Sequence, residues 1–159
     1  IDCVNSVGGI ILPELLEKYQ IIHLCGKGKT DPSLDGTKGY VQFEYIKKEL
    51  SDLMDAADLV ISRAGANAIC ELLALKKPNI LIPLSQAASR GDQILNAASF
   101  EKQGYSYVIK EEDLSGEALM KAIKTVYAKR DDYMEAMEHS PLNNPIEKIV
   151  SILDEIVQK

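Results

Sequence analysis

The chain has 159 residues, 46% of them hydrophobic and 26% charged, with a formal net charge of −6. That length is one domain with room for a substantial core, and the acidic balance argues against a broad nucleic-acid-binding surface. No apolar run reaches the ~18–20 residues needed to cross a bilayer.

In chain order, "IILPELLEKY" (10–19) reads as a helix with Pro13 in its first turn, and "QIIHLCG" (20–26) as a strand ending in Gly. "KGKTDPSLDGTKG" is a polar loop rich in turn residues. "YVQFEY" (40–45) follows as a strand, and residues 47–57 carry Leu50, Leu53, Met54 and Ala57 at helical spacing. "DLVIS" (58–62) has the apolar, β-branched character of a fully buried parallel strand. "GANAICELLALKK" then switches to helical period, Lys76-Lys77-Pro78 supplies a cationic last turn and a stop, and "NILIPL" is the next strand. A loop "SQAASRG", a helix over 92–102, a strand over 106–110, a solvated acidic turn "EEDLS" and a helix over 116–128 complete the alternation. Two amphipathic segments, "RDDYMEAMEH" and "NPIEKIVSILDEIVQ", form the tail.

Strands alternating with helices at this spacing predict an α/β fold: a Rossmann-like parallel sheet with helices on both faces and right-handed crossovers. Ligands of such folds bind outside the carboxyl ends of the strands, so the loops to read are 26–39, 45–48, 62–67, 84–92 and 110–115. Three cysteines, Cys3, Cys25 and Cys70, with no CxxC spacing read as free thiols of a reducing cytosol, two of them inside buried-looking elements. The chain opens on Ile1 rather than Met, with no signal peptide before it, and is expected to be part of a longer polypeptide.

Among those loops, Arg63-Ala64-Gly65-Ala66-Asn67 puts small residues at a strand-to-helix turn. There the first helix amides and the helix dipole favour an anion. The bland alternative is that Gly65 makes the turn and Ala66 and Ala68 pack on the sheet. Glu71, two turns in, suits a pair of sugar hydroxyls better than a phosphate, unless it is a solvated helix carboxylate. A nucleotide or nucleotide-sugar site is the reading these residues suggest. Asp92 is an N-cap or first-turn acid, and with Gln93 it also offers the donors and acceptors that sugar hydroxyls require. Gly26-Lys27-Gly28-Lys29 is either a plain turn or a phosphate approach, and lacks Walker A spacing. His23 is expected to be a core histidine, and His139 to be incidental. No His/Cys/carboxylate cluster has metal-ligand spacing, so neither a metal nor a cofactor is expected.

"HLCGKG", "FEYIKKELSDLMDAADLVISRAGANAICELLALKKPNILIPL" and "SRGDQILNAASFEKQG" together resemble the carboxyl-terminal domain of the MurG family of peptidoglycan glycosyltransferases. The resemblance runs from about residue 20 to the end, and the ensemble of R-x-G-A-x-x-x-x-E with a later Q-x-x-N-A is what makes it specific. It implies the C-terminal half of a GT-B glycosyltransferase, with residues 1–159 as a single UDP-sugar donor-binding domain. The N-terminal acceptor domain, its candidate catalytic base and its membrane-associating face would lie elsewhere. The implied activity is transfer of N-acetylglucosamine from UDP-GlcNAc to undecaprenyl-pyrophosphoryl-MurNAc-pentapeptide, lipid I to lipid II, at the cytoplasmic side of the bacterial membrane. The isolated chain should then be inactive, with no catalytic residue of its own.

By position, the resemblance assigns Tyr45, Ile46 and Leu50 to the uracil, with the Ile46 backbone reading the base edge. It assigns Glu71 to the ribose hydroxyls, and Arg63, Gly65, Ala66, Asn67 and Ala68 to the turn and helix start facing the diphosphate. Asp92 and Gln93 fall to the GlcNAc hydroxyls. Three departures stand out. Ala68 occupies a place where many relatives carry Thr, Asp92 one where others carry Gln or His, and residues 1–9 lack the family's G-G-S-x-G loop. The competing expectations are another GT-B donor domain, of a glycolipid transferase or a UDP-GlcNAc 2-epimerase, and a non-catalytic nucleotide-binding module.

Overall fold

A computed structural model describes residues 15–46, 49–86, 90–141, 150 and 153–154. Residues 10–14 of the predicted helix over 10–19, residues 47–48 at the start of the next helix, the loop residues 87–89, residues 1–9 and most of the "NPIEKIVSILDEIVQ" tail lie outside them. The elements are β1 (Ile21–Leu24), β2 (Tyr40–Phe43), α1 (Leu50–Ala56), β3 (Val60–Ser62), α2 (Ala66–Ala74), β4 (Asn79–Leu81), α3 (Asp92–Lys102), β5 (Tyr107–Val108), α4 (Gly116–Ala128) and α5 (Arg130–Glu138).

Every strand pairing is parallel, as the alternation predicts. The described strands form two hydrogen-bonded sheets rather than the one expected, β1-β2 and β3-β4-β5. In the second, Ile61 stands opposite Ile80, and Leu81 is opposite Ser62 on one side and Val108 on the other. Side chains alternate between its faces. Val60, Leu81 and Val108 join α2, α3 and α5 in one cluster that holds Leu72, Phe100 and Met137. Ile61, Ile80, Ile82 and Ile109 join α4 in the other, around Ala122, Ile123 and Val126. Helices therefore cover both faces of β3-β4-β5, and Tyr133 of α5 packs against both clusters. Burial pushes its phenol above the usual tyrosine range.

In the first sheet one face is polar. The His23 Nδ1 and Tyr40 hydroxyl share a hydrogen bond of 2.6 Å, and the Cys25 thiol lies 3.8 Å from Gln42 Oε1. Register pairs Ile22 with Val41 and Leu24 with Phe43 on the opposite face, and Val41 remains 43% exposed. Cys25 is buried, but Cys70 is exposed. Cys70 shares the outward side of α2 with Asn67 and Glu71, while Ile69, Leu72 and Leu73 fill the core side, so neighbouring apolar residues misplace it.

Helix α2 ends in a Schellman arrangement: the Lys77 amide donates to the Leu72 carbonyl at 2.9 Å and the Lys76 amide to that of Leu73 at 3.0 Å. Lys76 adopts φ +50°, a left-handed position that glycine usually fills. The expected cationic last turn is therefore displaced beyond the helix. Lys76 pairs with Glu138, and Lys77 donates to the Asp55 carbonyl at 2.8 Å. Fully buried Asn79 donates to the carbonyls of Lys77 (2.9 Å) and Tyr105 (3.1 Å), joining the segments that lead into β4 and β5.

Candidate functional site

Three chain segments meet at the carboxyl ends of β3, β4 and β5. Arg63 follows β3 directly, and its guanidinium is divided between two of them. Nη1 donates to the Ile82 carbonyl at 3.1 Å and Nη2 to Glu111 Oε1 at 2.9 Å. The second oxygen of Glu111 accepts from the Ser85 amide at 3.0 Å. The Ser85 amide and then the Arg63 guanidinium hold the Glu111 carboxyl below the usual carboxylate range. Glu111 is thus no part of a solvated turn, as "EEDLS" suggested. It begins a short 3-10 turn, Glu111–Asp113, placed to catch a guanidinium 48 residues away in sequence.

The start of α2 stands beside this clamp. Gly65 is its N-cap, in extended backbone (φ −68°, ψ 144°) with no side-chain capping bond. The amides of residues 66–68 are those that a helix leaves without an internal acceptor, at the positive end of its dipole. Ala66 and Asn67 are exposed there, and Ala64 just before them is fully buried. Asn67 and Glu71, four residues apart, lie on one exposed side of the helix. Glu71 is therefore solvent-facing and accessible, and Ala68 is half-buried behind it.

Helix α3 closes the third side. Its N-cap is Gly91, at φ +87°, so Asp92 is the first-turn acid and not the cap. Asp92 is exposed, whereas Gln93 accepts the Leu84 amide at 3.1 Å through Oε1 and thereby steadies the loop after β4. Asn96 donates to the Ala64 carbonyl at 3.0 Å, tying α3 to the turn that opens α2. Arg63, Ala64, Gln93, Asn96 and Glu111 thus take part in hydrogen bonds that gather the carboxyl ends of three strands.

Tyr45, Ile46 and Leu50 belong to the other sheet's carboxyl end. Tyr45 is 67% exposed, Ile46 is half-buried, and Leu50 is the first residue of α1. The glycine-rich turn after β1 is already engaged, since the Gly28 amide donates to Glu44 Oε1 at 2.9 Å, next to Tyr45. Gln42 likewise accepts the Asp31 amide and donates to the Asp31 carbonyl and Asp35. Among the described residues no group of three or more His, Cys, Asp or Glu is arranged to hold a metal ion. No helix among them is long and apolar enough to cross a membrane. Glu111 and Asn96 are the two residues whose parts at the site the sequence did not disclose. The signals were that Glu111 lies in a loop following a strand and that Asn96 is the asparagine of Q-x-x-N-A.

The glycosyltransferase family 28 C-terminal domain model matches residues 6–153. The chain is 63% identical over 153 residues to a protein of Lachnoclostridium phytofermentans named UDP-N-acetylglucosamine--N-acetylmuramyl-(pentapeptide) pyrophosphoryl-undecaprenol N-acetylglucosamine transferase, and 58% identical over 150 residues to one of the same name from Lachnospira eligens. These alignments take in 96% and 94% of this chain but only 43% and 42% of the relatives, so the chain spans less than half their length. Among solved structures, Acinetobacter baumannii MurG superposes with a TM-score of 0.72 at 21% identity, covering 95% of this chain and 45% of that one. The glycotransferase of kitacinnamycin gives 0.73 at 14%, covering 93% and 37%. These likenesses establish a shared fold, the Rossmann-like α/β half of a GT-B glycosyltransferase.

Proposed function

The chain belongs to the glycosyltransferase family 28 C-terminal domains, and on that premise we propose that it binds the UDP-GlcNAc donor of the transferase converting lipid I to lipid II. The observation that carries this reading is the 63% identity, over nearly the whole chain, to a relative named for that transfer. The geometry supports it. An exposed helix start beside a steadied loop suits a diphosphate, and Glu71 on the next turn of the same helix suits the vicinal hydroxyls of a ribose.

In this reading the amides of residues 66–68 receive the charge that develops on the diphosphate as an acceptor hydroxyl displaces UDP from the anomeric carbon. Tyr45, Ile46 and Leu50 take the uracil, and Asp92 and Gln93 the GlcNAc hydroxyls. Gln93 offers its amide nitrogen as a donor there while its oxygen accepts the Leu84 amide. Arg63 acts through the clamp, with two of its nitrogens already engaged. The acceptor, the catalytic base and peripheral contact with the cytoplasmic face of the membrane belong to the remainder of a two-domain enzyme, in keeping with the 43% of the relative's length that this chain covers.

Calorimetric titration with UDP, UDP-GlcNAc and ADP tests the donor assignment, with uridine nucleotides expected to bind more tightly than ADP. Equal affinity for ADP and UDP would remove the uracil assignment. The isolated chain should show no turnover with lipid I analogues, and turnover above a heat-treated control would overturn the division into donor and acceptor halves.

A further inference from the structure

We propose that Glu111 is a positioning residue for the donor's diphosphate and sugar: by gripping Arg63 with one oxygen and the Ser85 amide with the other, it fixes the loop after β4 against the turn that opens α2. This rests on the donor-binding reading above. Glu111 has no place among the residues expected to touch a ligand, yet it joins all three strand ends of the site. Arg63 prolongs β3, Ile82 and Ser85 prolong β4, and Glu111 itself follows β5.

What the carboxylate holds decides the consequence. On one side it anchors Arg63, two residues before the Gly65 N-cap, and so the direction in which the amides of residues 66–68 point. On the other it anchors Ser85, next to Leu84, whose amide is held by Gln93. The loop is thus pinned at two successive amides, from β5 and from α3. A ligand bridging the α2 start and the α3 start meets two surfaces whose separation this ion pair sets. The Arg63 and Glu111 side chains are 17% and 28% exposed, so the pair is largely shielded from water. A flexible loop would otherwise have to be ordered on binding, at a cost in affinity. The bonds of this clamp run between Arg63, Ile82, Ser85 and Glu111 at the ends of β3, β4 and β5, whereas Tyr45 and Ile46 follow β2 of the other sheet, so the effect falls on the phosphate end of the ligand.

Glu111→Gln keeps the shape and one acceptor oxygen but turns an amide donor or a neutral oxygen toward the guanidinium. Calorimetry with UMP, UDP and UDP-GlcNAc should show affinity for UDP and UDP-GlcNAc falling about tenfold in the variant, and affinity for UMP by less than about twofold. A uniform fall across the three ligands marks a merely structural role and overturns the proposal, as does no change in any. Hydrogen exchange of the ligand-free proteins supplies the second readout. The Ser85 amide, which donates to Glu111, should lose protection in Glu111→Gln while those of Ile80 and Leu81 keep theirs, and unchanged Ser85 protection also overturns it. If Glu111→Gln does not fold, Arg63→Met is measured on the same three ligands with the same expected pattern. If the unaltered protein binds no uridine nucleotide, the donor reading fails and this proposal falls with it. If it binds UDP and the variant binds it equally well, only the positioning role is lost.

Discussion

The Asn96 side-chain amide lies 3.0 Å from the Ala64 carbonyl, so the second turn of α3 is tethered to the turn that opens α2. Ala64 is fully buried, so its carbonyl has little access to water if that donor is removed. Asn96→Ala is expected to cost about 1–2 kcal/mol, the penalty for a buried acceptor left without a partner. The urea midpoint of the purified chain measures it, and a shift within experimental error would mean that the tether is replaced by solvent.

Glu71 gives a contrast between two ligands. If it accepts from both ribose hydroxyls, Glu71→Ala weakens UDP binding by roughly 2–3 kcal/mol, the range for lost charge-assisted bonds. Binding of 2′,3′-dideoxy-UDP, which lacks those hydroxyls, should hardly change. Because Glu71 faces solvent, folding stability should move by less than ~0.5 kcal/mol. Equal losses for both ligands would disprove the ribose role.

Acid should act on the Arg63–Glu111 clamp with a defined sign. The Ser85 amide, then Arg63, hold the folded-state pKa of Glu111 down, so the folded protein binds this proton less readily than the unfolded chain. Its contribution is therefore fully present above the unfolded glutamate value of about 4.3 and is lost as pH falls through the lower folded value. Asp31, held down by Ser33, changes in the same direction. Comparing wild type with Glu111→Gln isolates the Glu111 part: the variant should lose stability less steeply below about pH 4.5. Parallel curves for the two proteins would count against the clamp.

Lys76 sits in a left-handed conformation at the end of α2. Lys76→Gly relieves roughly 1 kcal/mol of backbone strain and gives up a half-exposed ion pair with Glu138 worth at most ~1 kcal/mol. Lys76→Val keeps the strain, adds β-branching and loses the same ion pair. Thermal melting should rank Gly at or above the natural Lys, with Val lowest. A Val variant as stable as the Gly variant would show that φ at this position carries no cost.

Much of the fold was legible because its signals are local. The helices over 92–102 and 116–128 emerge with the expected bounds, since cap residues mark their ends: Gly91 before the first, and Ser115, which accepts the Ala118 amide, before the second. Strands were drawn too long. Leu59, Ile82 and Ile109 continue each apolar run beyond the strands; the Ile82 and Ile109 amides still donate to the Ser62 and Leu81 carbonyls, but Leu59 only packs against the core, and hydrophobicity reports burial rather than the length of a ladder. At the site, the helix start and the exposed Glu71 could be read from spacing. Glu111 could not. An acidic triplet after a strand has the composition of a solvated turn, and only folding brings Arg63 to it. Cys70 went astray for the opposite reason, because apolar neighbours in sequence point to the other side of the helix.

Tyr133 is the ring that packs against both hydrophobic clusters, one on each face of β3-β4-β5. The chain contains no tryptophan. A Tyr133→Trp variant would therefore carry one indole, whose emission colour responds to wetting of either layer. Its spectral shift on heating would then tell whether the two layers melt in one cooperative step or in succession, from a single optical trace.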